Sequence, residues 1–298
     1  KSEKILLSKE KPWGIILFKR NLKSKKQIVN LISTIKISTK NSKFPIMIDE
    51  EGGNVSRLVR IIKHDISANF FGNLYKKDNN LSEKLLKNYI DSLSKILKEL
   101  GFNINTIPVL DVLRSKTNKI IGNRSFSNKK EIIKKLGKIT IQNLHKNKIA
   151  GVIKHIPGHG AATSDSHIKM PKVLLNLKEL NDKDFYPFKD TKAKIAMTAH
   201  ILYPKLDKKN VATFSKKIIK DIIRKKINFK GILISDDISM KALKYDLITN
   251  AKKSLEAGCN LVLYCAGNIN DNFRLIKSIP YIDKFTSKKT SEFYKFLR

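Results

Sequence analysis

Short apolar segments alternate with amphipathic stretches along the whole chain. Seven segments are almost continuously hydrophobic, which is typical of parallel strands buried on both faces; they cover residues 13–18, 44–49, 104–110, 149–156, 194–201, 231–237 and 259–265. The stretches between them, such as 81–100 and 130–147, place apolar residues at helical spacing. No Pro-rich or Ser-rich linker interrupts the alternation. The pattern predicts one α/β domain over residues 1–298, built from successive βα units.

Polar side chains occur where five of these apolar segments end. In a (β/α)8 barrel the active site is built at the C-terminal ends of the strands, so these residues predict one shared site at the mouth of a barrel. Any one of them could instead cap a helix, but that explanation is strained for all five ends together. The residues are Asp49, Asp111, Lys154 with His155, His200 and Asp236.

We therefore predict the fold class as α/β, a single (β/α)8 TIM-type barrel. A closed barrel of this type needs eight strands, whereas the pattern supplies seven. The residues from Lys1 onward already read as a helix. We expect the first strand to precede Lys1, and a longer sequence without an apolar segment there would contradict this expectation.

The chain is strongly basic, with 61 Lys and Arg residues against 26 Asp and Glu residues and a net charge of +35. Only eight of the basic residues are arginine, and the lysines are spread over every segment. Nucleic-acid binders usually concentrate their charge in a patch and add aromatic side chains for stacking. We therefore interpret the charge as a lysine-coated surface rather than a specific nucleic-acid site.

Further features bear on the compartment. No apolar run approaches the roughly 20 residues of a membrane span, and the first residues lack the layout of a signal peptide. Cys259 and Cys265 lie in one apolar segment, too far apart along an extended strand to form a disulfide, and neither belongs to a CxxC pair. We predict two buried thiols, a reducing compartment and a cytoplasmic location.

Two loops after predicted strands carry candidate binding residues. The motif IDEEGGNVSRL begins at residue 48 and follows a strand with a Gly-Gly turn, from which Asp49 and Arg57 are predicted to enter the barrel mouth. The motif IGNRSFS begins at residue 121 and holds Arg124, whose guanidinium can bind carboxylate or hydroxyl oxygens. For the first loop the plainer alternative is a solvated turn with an ordinary salt bridge.

A pair of carboxylates ends another predicted strand. The motif ISDDISMKAL begins at residue 234 and is predicted to pass from the strand into a helix. One carboxylate should point into the barrel and the other away. Asp237 fits a helix cap, which leaves Asp236 to act as a nucleophile or to stabilise an oxocarbenium ion.

The stretch KHIPGHGAATSDSH, residues 154–167, holds three of the six histidines. Neither the spacing of a zinc motif such as HExxH nor the GxxxxGK[ST] pattern of a phosphate loop is present. The pair Asp165-x-His167 lets a carboxylate orient an imidazole for proton transfer, and Gly158 and Gly160 suit a mobile loop. The alternative is a hydrogen-bonded loop with structural histidines.

Taken together, KHIPGHG…DSH, DEEGG-x-V-x-R, IGNRSF, MTAHILYP and SDDISM resemble the successive signatures of glycoside hydrolase family 3. They are most similar to its single-domain bacterial β-N-acetylglucosaminidase branch, which acts in cell-wall recycling. The resemblance implies a (β/α)8 barrel that needs no metal or organic cofactor. It also implies that the substrates are N-acetylglucosamine-containing cell-wall fragments. We expect the protein to be a monomer.

The resemblance also assigns roles to individual residues. It implies that Asp236 is the nucleophile, that His167 is the general acid/base and that Asp165 is the partner of His167. The family's usual Asp-Gln-Glu is Asp49-Glu50-Glu51 here, and we expect the substituted residue, Glu50, to face outward. The sugar subsite would be lined by Asp49, Arg57, Arg124, Lys154 and His155.

The predicted function is that of a retaining exo-β-N-acetylglucosaminidase. It would hydrolyse terminal β-linked N-acetylglucosamine from peptidoglycan fragments through a covalent glycosyl-enzyme intermediate. A β-N-acetylglucosaminide phosphorylase of the same fold stays open, because a neutral imidazole repels incoming phosphate less than a carboxylate does. An inactive sugar-binding or nucleic-acid-binding barrel also stays open, although a binding protein needs no nucleophile.

Overall fold

The computed structural model describes residues 2–63, 65–115, 117–118, 120–163 and 170–298. Its centre is a seven-stranded sheet in which every strand pairs in parallel with the next one along the chain. All seven predicted strand segments are confirmed. The strands are β1 (Ile15–Leu17), β2 (Ile46–Ile48), β3 (Ile104–Asn105), β4 (Ala150–Ile156), β5 (Ile195–Thr198), β6 (Ile232–Asp237) and β7 (Leu261–Leu263).

Most strands are shorter than the apolar segments that predicted them, and β3 shows why. Pro108 has no backbone N–H, so it cannot donate a hydrogen bond within a sheet. Pairing with β4 resumes only beyond it, where Lys154 N donates to the Pro108 carbonyl at 3.2 Å and Leu110 N donates to the Lys154 carbonyl at 2.8 Å. The apolar run therefore stays next to β4 although only two residues form the strand.

Helices follow most of the strands, as the alternating pattern predicts. The predicted helices at 81–100 and 130–147 are confirmed as α4 and α5. Two π-helical segments, Leu6–Glu10 and Ile218–Lys226, and short 3₁₀ turns complete the regular structure. The α-helices are α1 (Ser2–Ile5), α2 (Lys25–Ser38), α3 (Ala68–Lys77), α4 (Asn79–Leu100), α5 (Lys130–Lys146), α6 (Leu177–Asp182), α7 (Leu247–Ala257), α8 (Ile269–Ser278) and α9 (Lys284–Phe296).

Helix α4 illustrates how the sequence sets these boundaries. The Asp78 carboxylate accepts a hydrogen bond from the Leu81 N–H at 2.9 Å and so caps the first turn. Gly101 ends the helix with φ of +98°, a left-handed conformation that favours glycine. Between these caps, buried residues recur every three or four positions from Leu86 to Leu100, and this face packs against the outside of the sheet.

The inner face of the sheet closes around a second apolar cluster. Residues from β2 to β7 share this one cluster, so the sheet curls around it; they include Met47, Ile104, Val152, Met197, Ile234 and Leu263. At the N-terminal ends of the strands, Phe293 of α9 joins the cluster and meets Trp13 edge-on, with ring centroids 5.2 Å apart. The opposite ends of the strands remain open for a site.

The observed fold is thus an α/β fold with a curled, parallel seven-stranded sheet. Among the described residues β1 and β7 form the two edges of the sheet, and an eighth strand does not occur there. The prediction of the α/β class is confirmed, while the closed eight-stranded barrel is not seen. Within the same ranges, no helix combines the length and apolar character that crossing a membrane requires.

Candidate functional site

A cavity of about 380 Å³ opens at the C-terminal ends of the strands. This volume is within the range of small-molecule sites, roughly 300–1,000 Å³. Apolar side chains from β1, β5 and β7 form part of its wall, including Ile16, Met197 and Leu263. Asp165 and His167 lie outside the described residues. Six other residues predicted at the site line the cavity, whereas Asp111 and His200 are buried and do not line it; the six are Asp49, Arg57, Arg124, Lys154, His155 and Asp236.

One wall of the cavity is a buried cluster of three charged groups. Arg124 donates through Nε and Nη2 to the two carboxylate oxygens of Glu51, at 2.8 and 2.9 Å, and Lys154 Nζ lies 2.6 Å from Glu51 Oε1. Burial raises the pKa of Glu51, but Arg124 and Lys154 outweigh it and hold that pKa below its usual value. Burial lowers the pKa of Arg124, and Glu51 more than reverses that shift. Glu51 and Arg124 are therefore both charged, and Lys154 forms an ion pair with the same carboxylate.

Glu51 is a site residue that was not predicted from the sequence, although a signal was present. In an extended segment residues i and i+2 lie on the same side. Asp49 and Glu51 follow β2 at that spacing, and both line the cavity. The intervening Glu50 is therefore directed away from the cavity. It does not face solvent, however, so the expectation that it faces outward is wrong.

Glu50 is fully buried, with 0% of its surface exposed. Its Oε1 accepts a hydrogen bond from the Ser56 hydroxyl at 2.6 Å, and its Oε2 accepts from the backbone N–H groups of Arg57 and Leu58, each at 2.8 Å. Three donors converge on this side chain, so a carboxylate is accommodated where the family usually has an amide. Glu50 fixes the loop that carries Arg57 into the cavity.

Asp49 joins the charged wall to a second arginine. Its Oδ2 accepts from Arg57 Nη2 at 3.0 Å and its Oδ1 accepts from the Thr106 hydroxyl at 2.5 Å, while Lys154 Nζ lies 3.6 Å from Oδ1. Burial raises the pKa of Asp49, but Lys154, Thr106 and Arg57 together lower it to about 2. The Arg57 guanidinium lies over the Phe18 ring, 5.4 Å from its centroid, which supports it at the rim.

The loop after β4 is held by a buried carboxylate from the segment after β3. Asp111 Oδ2 lies 2.7 Å from His155 Nδ1, and Asp111 Oδ1 accepts from the His159 backbone N–H at 2.6 Å. Lys154 and His155, joined by a cis peptide bond, both line the cavity. Burial and then the neighbouring His155 lower the pKa of His159 to about 4, so its imidazole is neutral near pH 7.

Asp236 is the next-to-last residue of β6 and lines the cavity. Its Oδ1 accepts a hydrogen bond from the Asp237 backbone N–H at 2.8 Å. Burial raises the pKa of Asp236, but His155, His200, this hydrogen bond and Lys154 together lower it below the usual value. Asp236 is therefore an ionised carboxylate in the cavity, facing cationic or hydrogen-bonding neighbours from β4 and β5.

The second carboxylate, Asp237, has a structural role, but it does not cap a helix. Its Oδ1 accepts from the backbone N–H groups of Ser239 and Cys265, at 3.0 and 3.1 Å, and so ties a turn to the end of β7. The predicted helix directly after the strand is wrong, because residues 238–242 form turns. Helix α7 begins at Leu247 with its own cap, Asp246.

His200 lies two residues beyond the end of β5 and supports this turn. Its Nε2 lies 3.0 Å from the carbonyl oxygen of Asp237, and its Nδ1 lies 2.7 Å from the Thr213 hydroxyl. A carbonyl only accepts, so Nε2 carries the proton and Nδ1 accepts from Thr213 in the neutral ring. Burial lowers the pKa of His200, which is consistent with this neutral form.

The two thiols differ in exposure. Cys259 is buried as predicted, whereas Cys265 is half-buried and lines the cavity just beyond β7. Burial raises the pKa of both thiols, and Asp237 raises that of Cys265 further. The prediction of two fully buried thiols is therefore correct for Cys259 alone. Within the described part of the chain, no group of three His, Cys, Asp or Glu side chains is placed to hold a metal ion.

Residues 1–287 match the family described as "Glycosyl hydrolase family 3 N terminal domain". The "Beta-hexosaminidase" of Nitrosomonas eutropha is 33% identical over 269 residues, which cover 89% of this chain and 76% of the relative. The structure of native NagZ from Neisseria gonorrhoeae is similar, with a TM-score of 0.90 at 30% identity over 98% of this chain and 85% of that one.

A longer protein has the same fold. The glycoside hydrolase family 3 β-N-acetylglucosaminidase from Paenibacillus sp. is similar at a TM-score of 0.91 and 25% identity; the match covers 100% of this chain, which spans 59% of that protein. The family match extends over nearly the whole sequence, and the Nitrosomonas relative is more than 30% identical over most of its own length. The chain therefore belongs to glycosyl hydrolase family 3 and is a glycoside hydrolase.

Proposed function

We propose that the protein is a retaining exo-β-N-acetylglucosaminidase that removes terminal β-linked N-acetylglucosamine from peptidoglycan fragments. The observation that carries this proposal is Asp236, an ionised carboxylate in a cavity whose other polar side chains can bind hydroxyl groups. The relatives named as a β-N-acetylglucosaminidase and a β-hexosaminidase support the choice of sugar. The modest cavity volume supports removal of one terminal sugar rather than cleavage within a long chain.

The proposed reaction has two displacements at the anomeric carbon. Asp236 attacks that carbon and forms a glycosyl ester, while His167 donates a proton to the departing glycosidic oxygen. Water then attacks the same carbon, His167 takes its proton, and the carboxylate of Asp236 leaves. Asp165 would orient the His167 imidazole. The lowered pKa of Asp236 keeps the nucleophile ionised throughout the neutral range.

The charged wall would bind the hydroxyl groups and the acetamido group of the sugar. Asp49 is held by Arg57, and Lys154 is held by Glu51, so each polar group meets the sugar in a fixed position. His155 would offer the ring nitrogen that does not contact Asp111. The Arg124 guanidinium donates two hydrogen bonds to Glu51, so its role is to hold this charged wall in place.

We extend the proposal to the architecture. The parallel order from β1 to β7 supports a closed (β/α)8 barrel in which an eighth strand lies between the two edge strands. A crystal structure of the protein in which no strand pairs with both β1 and β7 would contradict this part of the proposal.

The test is release of nitrophenol from 4-nitrophenyl N-acetyl-β-glucosaminide. We expect turnover by the wild type and a loss of about a thousandfold or more in Asp236→Ala, since the nucleophile is removed. Asp246→Asn, an exposed helix cap that Asn can replace, is the control and should retain activity. Full activity in Asp236→Ala, or none in a folded wild type, would contradict the proposal. A sugar 1-phosphate formed when phosphate is added would favour the phosphorylase instead.

A further inference from the structure

We propose that Asp111 is a positioning residue with two roles. It determines which nitrogen of the His155 ring carries the proton, and so what His155 presents to the sugar, and it anchors the first turn of the loop after β4. This inference rests on the proposed function, because it assigns His155 to the sugar subsite. Asp111 itself touches neither the cavity nor any reacting atom. It acts through two histidines that lie 44 and 48 positions further along the chain.

The carboxylate of Asp111 is fully buried and accepts from several donors. Besides the contacts with His155 Nδ1 and His159 N, its oxygens each lie 3.3 Å from the His155 backbone N–H. Burial raises the pKa of Asp111, but His155 and His159 outweigh it and lower that pKa, so the group is ionised. An ionised carboxylate only accepts hydrogen bonds. His155 Nδ1 must therefore carry a proton, and in the neutral ring Nε2 is the acceptor.

The same segment forms the base on which the loop rests. The Thr117 hydroxyl donates to the Gly160 carbonyl at 2.5 Å, and the Asn118 N–H donates to the Ala162 carbonyl at 3.2 Å. Gly160 packs directly against the chain there, since a Cβ on it would lie 1.9 Å from the Val112 carbonyl oxygen. Asp111, Thr117 and Asn118 therefore all contact the segment 159–162.

The variant Asp111→Asn separates positioning from simple packing, because Asn has the same shape. The His159 backbone N–H lies 2.6 Å from Oδ1 and can only donate, so the amide oxygen of Asn must take that place. The amide NH₂ then faces His155 Nδ1 and must donate to it. When the His155 ring is in its neutral form it must then carry its proton on Nε2, and the cavity receives a donor in place of an acceptor.

The experiment reads the His155 tautomer by long-range ¹H–¹⁵N NMR of the unliganded protein. With six histidines in the chain, His155→Gln identifies the resonance. We expect the Nδ1–H form in the wild type and the Nε2–H form in Asp111→Asn. The matched control is Asp184→Asn: Asp184 is also a buried carboxylate, bonded to Arg114, and it should leave the tautomer unchanged.

Kinetics test the consequence. In Asp111→Asn, KM for the nitrophenyl substrate should rise about tenfold, while kcat changes less. When Asp111→Asn is added to the variant His155→Gln, KM should change by less than about twofold. An unchanged tautomer, or an Nε2–H form already in the wild type, would overturn the inference. If Asp111→Asn does not fold, the wild-type tautomer alone decides. An inactive wild type would reject the proposed function and leave the NMR test intact.

Discussion

Removing the charge of Glu51 should destabilise the protein strongly, even though the substitution hardly changes the size of the side chain. Glu51→Gln keeps the shape of the side chain but replaces one acceptor oxygen by an NH₂ donor. That donor would face either the Arg124 guanidinium or the Lys154 ammonium, which now contact Glu51 at 2.6 to 2.9 Å. The variant thus leaves two buried cations with one carboxylate less to compensate them.

The expected magnitude follows from burial. The side chains of Glu51 and Lys154 are each 3% exposed and that of Arg124 is 11% exposed, so solvent cannot replace the lost partner. Removing one partner of a buried ion pair costs about 3–5 kcal/mol. At about 2 °C per kcal/mol for a chain of this length, the melting temperature should fall by about 6–10 °C.

The assay is thermal unfolding followed by circular dichroism at pH 7, with a surface pair as the control. Asp221 and Lys225 form an i,i+4 ion pair at 3.2 Å with both side chains largely exposed, so Asp221→Asn should change the free energy of unfolding by less than about 0.5 kcal/mol. The difference in melting temperature between the wild type and Glu51→Gln should become smaller as the pH falls below 4.5. The folded-state pKa of Glu51 is lowered, so the stability that its charge contributes is lost as the carboxylate becomes protonated. Equal melting temperatures for Glu51→Gln and Asp221→Asn would refute the reasoning.

Three further predictions concern the loops and helices around the cavity. Glu50→Ala should lower the free energy of unfolding in urea by about 2–3 kcal/mol, because three donors lose their acceptor; a change below about 0.5 kcal/mol would contradict the role given to Glu50. The folded-state pKa of His159 is about 4 against an ordinary 6.5, so the unfolded chain binds the proton first as the pH falls. As the pH falls from 6.5 to about 4, the free energy of unfolding of the wild type should decrease by about 3 kcal/mol more than that of His159→Asn. Equal dependence of stability on pH in the two proteins would contradict this prediction. Gly72→Ala should melt well below the wild type, at a cost of about 3 kcal/mol, because its Cβ would lie 1.6 Å from the Phe126 carbonyl oxygen; Gly137→Ala, which meets the tip of the Leu110 side chain, should cost less.

The alternation of apolar and amphipathic segments was sufficient to predict the α/β class and all seven strands. Burial on both faces leaves a continuous hydrophobic run at each strand, and that signal is local. The strand ends were less predictable, because they depend on which backbone groups find partners. The segment around Pro108 shows this, since the Ile107 N–H bonds to the Asn105 carbonyl of its own segment and Pro108 has no N–H to donate to a neighbouring strand. The prediction that residues 1–298 form one domain stays a prediction.

The errors at the site have a common physical cause. The orientations of the Glu50 and Asp237 carboxylates depend on backbone N–H donors, from their own loop or from the end of a distant strand. Sequence patterns do not show where such donors lie, so these orientations could not be predicted. Glu51 was not assigned to the site because its partner Arg124 lies 73 positions away, and Asp111 was expected at the barrel mouth without its contact to His155, which lies 44 positions away. The motifs located the site, whereas the residues that hold it together are defined by tertiary contacts.

The most direct test of the central claim is peptide mapping by mass spectrometry after reaction with a fluorinated N-acetylglucosaminide that slows the second displacement. The account predicts one added glycosyl group, bound to the peptide that carries Asp236, and no adduct in Asp236→Ala. Steady turnover without any adduct and with inversion at the anomeric carbon would contradict it. An adduct on a different residue of a fully active enzyme would contradict the assignment of the nucleophile.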